Sequence, residues 1–555
     1  MKQFSLTLYS LLLSVFLFAQ VAPDKYWVKF TDKNNSPFSI DHPEAFLSQK
    51  AIDRRANQGI PIMQNDLPVN PDYIEAVAET GVIILNVSKW FNSVTIYTTN
   101  SSLLDEINAL PFVFSIDKAG GDKSEKSSPK PFFANESYGK IPEAELMKAG
   151  NSGNSYDYGA AYNQIHMLNG DALHDMGFDG EGMTIAVLDA GFYNADDLSA
   201  FDYLWNNNKI LGYRDFVSPH DPDIFGSATH GSMVLSTMGA NLPGEMVGTA
   251  PQADYWLLRS EDGDSEYLIE ELNWVSAAEF ADSVGADIIN SSLGYTTFDD
   301  PSMNHTYSDM DGNTTPITIG ADLAVSKGMI VVNSAGNSGN GSWQYIGAPA
   351  DGDSVFSIGA VNSNGDYASF SSTGPTADGR LKPNVVAQGQ GSTIIDPWGG
   401  NVSSGSGTSF SSPITAGMVA CLWQANPDKR NTEILQAIEQ SGSLANNPNN
   451  LLGHGIPDYV MANSILTVID YQEASNYDIE VYPVPFDNLF QVKTLSDEII
   501  LNIEVMDISG KTYLKMANLN DRNIKVEGLD ELASGIYILK IETDHQYLTS
   551  KVIKN

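Results

Sequence analysis

Four aliphatic runs constrain this chain more than any other feature: 183–188, 285–290, 329–332 and 355–361 alternate with stretches of helical periodicity. A strand with one wet face alternates apolar and polar residues, whereas a strand buried on both faces reads as a continuous apolar run. Such strands belong to parallel sheets whose connecting helices cover both sides. The pattern predicts an α/β domain built on a doubly wound, mostly parallel sheet. In that architecture sites form in the crevice beyond the carboxyl ends of the strands.

Two of the runs carry polar residues to that edge. The first is followed by Asp189 in VLDAGF, and the run 329–332 leads to Asn337 in NSAGNSG. His230, in THGSMVLSTMG, stands just before Met233, Val234, Leu235 and Met238, whose spacing suits the buried stripe of a helix. Ser409, in SGSGTSFSSP, follows a turn made by Gly405, Gly407 and Thr408 and opens a helical run through Ala416, Val419 and Leu422. Pro413 is expected in the first turn of that helix, where proline is tolerated.

A serine hydroxyl is a poor nucleophile at neutral pH until a base takes its proton. That base must be oriented, commonly by a carboxylate accepting the proton of the other imidazole nitrogen. An amide aimed at the developing oxyanion completes the requirement. Alone, each residue has an ordinary reading: Ser409 as a helix cap, His230 as a surface residue, Asp189 and Asn337 as turn formers. Their joint presence, in this order and these local contexts, points to peptide-bond hydrolysis.

Through those residues, 156–467 resembles the catalytic domain of the subtilisin-like serine peptidases, which share the chain order Asp, His, Ser. The resemblance implies Asp189 as the orienting acid, His230 as general base, Ser409 as nucleophile and Asn337 as oxyanion donor. It implies that Ser292-Leu293-Gly294 pairs with an extended peptide substrate and that Gly336 lines the opposite wall. LLGHGIPDYVMA resembles the family's closing segment. Departures are Ala190, where Ser or Thr commonly follows the Asp, and Phe410-Ser411, where Met-Ala is commoner. His305, Asp309, Asp311 and the loop 295–316 have no counterpart. No GxSxG elbow surrounds Ser409, which argues against an esterase of the α/β-hydrolase kind. The alternative in a different class is a non-catalytic cell-surface binding protein or adhesin on the same scaffold.

The flanks extend this reading, since 555 residues exceed one ordinary domain. Residues 1–19 have the positive start and short apolar stretch of a secretory signal peptide. From 20 to 117, strand-like 26–30 and 82–87 alternate with helix-like 43–56 and 102–110, an α+β unit expected to act as a propeptide that inhibits its own enzyme. A substrate-binding module is the alternative. Arg54-Arg55 reads as a processing site or, better, as a charged helix face. Residues 118–155 have a linker's composition. From 475 to 555, regular short strands suggest a small β-sandwich. YPVPF, ISGK, LASGIYILKI and the terminal KVIKN resemble the sorting domain of type IX secretion substrates, with Val484 where Asn is usual. The resemblance implies an outer-membrane secretion machinery as partner, and secretion or display at the cell surface.

A net charge of −39, from 69 acidic and 30 basic residues, argues against nucleic acid as a partner. Cys421 is the single cysteine, so no internal disulfide exists, and its apolar setting reads as core. The chemistry requires no cofactor. The acidic surplus is compatible with structural calcium, with Asp196-Asp197 and Asp221/Asp223 as candidate ligands against a solvated acidic surface.

Overall fold

The structure, a computed structural model, describes residues 24–121, 130, 136–141, 155–469, 479–494, 498–507, 511–530, 532–533, 535–544 and 547–554. The expected signal peptide and much of the expected linker lie outside the described residues. Among the described residues no helix is long and apolar enough to cross a membrane.

The first unit contains β1 (Lys25–Phe30), α1 (Gln49–Asn57), α2 (Pro71–Glu79), β2 (Ile83–Ser88), β3 (Ser93–Tyr97), α3 (Ser102–Asn108) and β4 (Val113–Gly120). Its strands form an antiparallel sheet in the order β2-β3-β1-β4. Alternation along β1 sends Tyr26, Val28 and Phe30 into a core with Val77, Val94, Ile96 and Ile107. The helix expected over 43–56 is corrected. Pro43 starts only one 3-10 turn, and α1 begins at Gln49 because the Ser48 side chain accepts the Ala51 N–H and caps it. β4 runs through Gly120, past the expected boundary at 117.

After β5 (Ser137–Gly139), the central unit runs through β6 (Thr184–Asp189), β7 (Ile210–Asp215), α4 (His230–Gly239), β8 (Asn241–Leu242), β9 (Met246–Val247) and β10 (Asp254–Arg259). It continues with α5 (Leu268–Val284), β11 (Ile288–Ser291), α6 (Pro316–Ser326), β12 (Ile330–Ser334), β13 (Phe356–Val361), β14 (Val385–Gln388), β15 (Ser392–Ile395), β16 (Val402–Ser406) and α7 (Thr408–Ala425). Seven strands form one parallel sheet in the order β14-β13-β12-β11-β6-β10-β7.

Every residue of β6 is buried, and its side chains divide between two cores. Ile185 and Val187 face α4 and α7, through Val234, Leu235, Ile414 and Val419; Ala186 and Leu188 face α5 and α6, through Trp274, Val275, Ala278 and Ala321. Burying such an aliphatic side chain contributes about 1.5–3 kcal/mol, which accounts for the unbroken apolar runs. β10 and β11 lie on opposite sides of β6, so the connections part there and leave a crevice at its carboxyl end.

The C-terminal segment contains β17 (Ile479–Tyr482), β18 (Phe490–Thr494), β19 (Ile500–Asp507), β20 (Thr512–Met516), β21 (Asn523–Val526), β22 (Gly535–Thr543) and β23 (Tyr547–Lys554). They form two antiparallel sheets, β17-β18-β21 and β20-β19-β22-β23, around a core that includes Phe486, Phe490, Val492, Ile503, Val505, Leu539 and Val552.

Candidate active site

Asp189 is the last residue of β6, and His230 opens α4. The imidazole Nδ1 lies 2.8 Å from Asp189 Oδ1 and 3.0 Å from Oδ2. The Ala190 N–H also donates to Asp189 Oδ1, at 2.8 Å, so the departure from Ser or Thr leaves the carboxylate with a backbone donor. Asp189 is fully buried and His230 nearly so.

Ser409 is the second residue of α7, in the turn whose N–H groups have no helical partners. Its hydroxyl is buried and makes no hydrogen bond among the described residues. Thr408, before it, fixes Asn337: the Asn337 carbonyl oxygen accepts from the Thr408 N–H at 2.9 Å and from its hydroxyl at 3.0 Å. That leaves the Asn337 amide N–H groups facing the cleft. The Gly336 N–H donates to the same hydroxyl at 3.1 Å, and Gly336 has φ +106°, where a side chain would strain the turn. Phe410, after Ser409, is buried with Met233 and Ile394, its ring 6.3 Å from that of His230.

Pro413 departs from expectation. It lies inside α7, beyond the first turn, where a missing N–H deprives the Ser409 carbonyl of its helical donor. The Ser292 hydroxyl donates to that carbonyl instead, at 2.9 Å. Ser292 and Leu293 therefore turn inward, with the Leu293 carbonyl accepting from Asn333 Nδ2 at 3.1 Å, and Gly294 alone of the three is partly exposed.

Glu136 was not singled out by sequence reasoning, and Thr408 was read only as part of the turn before Ser409. β5 pairs antiparallel with β16, Ser137 opposite Ser406 and Gly139 opposite Ser404, so Glu136, just before it, enters the cleft beside Ser409, and we call the described residues 130 and 136–139 the strap. Glu136 Oε2 lies 3.4 Å from His230 Nε2, and Oε1 lies 3.4 Å from Asn337 Nδ2. Tyr138 rests edge-on against Phe410. Burial alone would push the imidazole down, but the Asp189 and Glu136 carboxylates outweigh it and hold His230 at about 10. Burial likewise raises Asp189, against the pull of His230. The only sequence signal for Glu136 is an acid within a Ser- and Gly-rich stretch. Thr408 lay inside the quoted SGSGTSF as a hydroxyl immediately before the serine.

Other candidates fall elsewhere. Arg54 and Arg55 do not form the expected exposed face: both are buried against Asp282 of α5, at 2.6 and 2.7 Å. Asp196, Asp197, Asp221 and Asp223 are exposed, and among the described residues the acids that converge are Glu261, Glu266 and Glu270. Asp309 accepts from Thr306, Asp311 from Asn313 and Thr314, and His305 contacts Glu271. Cys421 is a fully buried thiol against the Thr249 carbonyl.

The profile of the Subtilase family matches 180–455, that of the Peptidase S8 propeptide domain, Bacteroidota, matches 25–131, and that of a secretion system C-terminal sorting domain matches 480–555. Subtilisin E of Bacillus subtilis is 30% identical over 313 residues, 56% of this chain and 72% of that protein. The subtilisin of Bacillus pumilus is 31% identical over 284 residues, 50% and 90% of the two chains. The crystal structure of MycP1 from Mycobacterium smegmatis superposes with a TM-score of 0.43 at 20% identity, covering 59% of this chain and 88% of that one.

Proposed function

Because the chain belongs to the subtilase family of serine peptidases, we propose that Asp189, His230, Ser409 and Asn337 carry out hydrolysis of peptide bonds through an acyl-enzyme. The chain also bears a type IX sorting domain, which directs it to the cell surface or the medium. The observation that carries the reading is the buried Asp189–His230 pair, whose outer nitrogen faces the same group as the Asn337 amide.

In this mechanism Ser409 Oγ attacks the substrate carbonyl while His230 Nε2 takes its proton, and Asp189 stabilises the imidazolium through Nδ1. The oxyanion is held by Asn337 Nδ2 and by the Ser409 N–H. His230 then protonates the departing amine, and water repeats the cycle to release the acyl group. No cofactor enters these steps. Extended substrate runs along Ser292-Leu293-Gly294 on one wall and Gly336 on the other.

Residues 24–121 act as an inhibitory propeptide, and the strap behind them blocks chemistry in two ways. The Glu136 carboxylate sits where an oxyanion would be held, and it adds to the pull of Asp189 that favours the protonated imidazole, the form that cannot accept a proton from Ser409. Ser409→Ala should lower hydrolysis of denatured casein by about 10,000-fold or more and leave the propeptide attached, as read by mass spectrometry. Full activity in a folded Ser409→Ala protein would refute the assignment.

A further inference from the structure

The strap has a second fastening. Lys130, six positions before Glu136, buries its ammonium among Glu261, Glu266 and Glu270, 3.0 Å from Glu266 and 2.5 Å from Glu270. The three acids are buried, with ligand oxygens within 4.8 Å of one another, and the Tyr295 hydroxyl donates to Glu261.

The pocket adjoins the candidate active site through two neighbouring strands. Arg259, at the end of β10, pairs with Asp189, and the next N–H, of Ser260, donates to the Asp189 carbonyl at 3.0 Å, so Glu261 stands one residue beyond that contact. Tyr295 follows directly on Ser292-Leu293-Gly294. The described strap residues give the direction of travel: Lys130 in the pocket, Glu136 between His230 and Asn337, and Ser137–Gly139 along β16. A polypeptide laid in the cleft in that direction has its amino-terminal part at the three glutamates and its carboxyl-terminal part beside β16.

We propose that the Glu261–Glu266–Glu270 pocket is a substrate subsite for a lysine or arginine side chain upstream of the cleaved bond, and that Lys130 is its occupant in the precursor. The inference rests on the hydrolytic reading given above. Six residues of extended chain span at most about 20 Å, which limits how far upstream the basic residue stands. Three buried carboxylates repel one another and lose hydration, so a cation that enters relieves both costs. An uncharged side chain of the same length leaves them uncompensated. Glu266, held at about 8 by burial despite Lys130, and Glu270, also raised, take up protons when the cation leaves, which moderates the discrimination.

The test is a set of fluorogenic peptides in which one lysine, or norleucine of the same stem without charge, occupies each position upstream of the bond. Full-length protein that has matured by itself is assayed for kcat/KM. The proposal expects lysine to exceed norleucine by about 10- to 100-fold at one upstream position and at no downstream position. It also expects the ratio to fall toward one in Glu266→Gln and Glu270→Gln. Equal rates for both peptide series in active wild-type protein would overturn the subsite, leaving the pocket as a fastening for Lys130 alone; this arm needs no variant. Cleavage of neither series would instead remove the hydrolytic reading and the subsite with it.

Discussion

The pro-region grips the catalytic domain in two places that work by different physics. The globular unit lies on α5, away from the cleft. Arg54, Arg55 and Lys89 converge there on Asp282, while Asp66 pairs with Arg55 and with Lys327 of the catalytic domain. Glu279 accepts from the Ser88 hydroxyl at 2.6 Å and from the Lys89 and Trp90 N–H groups at 2.6 and 3.0 Å. Each cation and acid in that set is buried and matched. The strap, by contrast, lies in the cleft and is held by His230 and Asn337, the groups to which we assign the reaction. One grip is a docking surface with guanidinium charges that persist at any ordinary pH; the other imitates a substrate and ends when chemistry or titration removes it. On the proposed reading, affinity and inhibition are separated in sequence as well as in space.

The largest break in this contrast should come from Asp282→Ala, which strands three buried cations. Losing one partner of a buried pair costs about 3–5 kcal/mol, so the dissociation constant of residues 24–121 added to mature enzyme should rise about 150- to 4,000-fold. Peptide kcat should stay near that of wild type, because Asp282 is remote from the cleft. Next comes Asn337→Ala, at the point where strap and reaction share a group. Turnover should fall about 100- to 1,000-fold with little change in KM; a loss confined to KM would contradict an oxyanion role.

Glu136→Gln sharpens the comparison from the other side, with an expected effect of about tenfold on the rate of propeptide removal. The charge leaves and the shape stays, so the His230 midpoint, followed by NMR in a Ser409→Ala background, should drop by about 1–3 units. The same pairing sets a pH dependence. Asp189, and with it Glu136, raises His230 from 6.5 to about 10, so the stabilisation from the protonated imidazole is complete below 6.5 and is lost as pH rises through about 10, the strap's share being the part that Glu136 adds. Alkaline solution should therefore loosen the strap while the arginine contacts to Asp282 persist. Equal loosening at both places, measured by cross-linking across each, would show that the two grips are not independent.

The sheet edge was the most legible part of the chain. Strands buried on both faces must be aliphatic throughout, so β6, β11, β12 and β13 announced themselves, and Asp189 and Asn337 followed as the polar residues at or just beyond strand ends. β7 escaped because it lies at the sheet's edge and exposes Leu211 and Tyr213, and Arg214 interrupts its run. β10 escaped because Trp256 and Arg259 are only partly buried. The site's orienting contacts were less legible. Thr408 with Asn337 and Ser292 with the Ser409 carbonyl join residues far apart in sequence, and no local pattern marks such pairs. The dibasic Arg54-Arg55 was misread for the same reason: its exposure depended on a surface that only the folded catalytic domain provides.

Pro413 leaves the Ser409 carbonyl to Ser292, so the helix bearing the proposed nucleophile and the wall proposed to line the substrate are joined by one hydroxyl. Replacing the proline with alanine would repair the helix by supplying the missing N–H, and that N–H would compete with Ser292 for the same oxygen. The change that makes the chain harder to melt would also release one wall of the cleft from the other. Heat tolerance and turnover would then move in opposite directions, and a protein selected only for survival at high temperature would be drawn to a substitution that its chemistry resists.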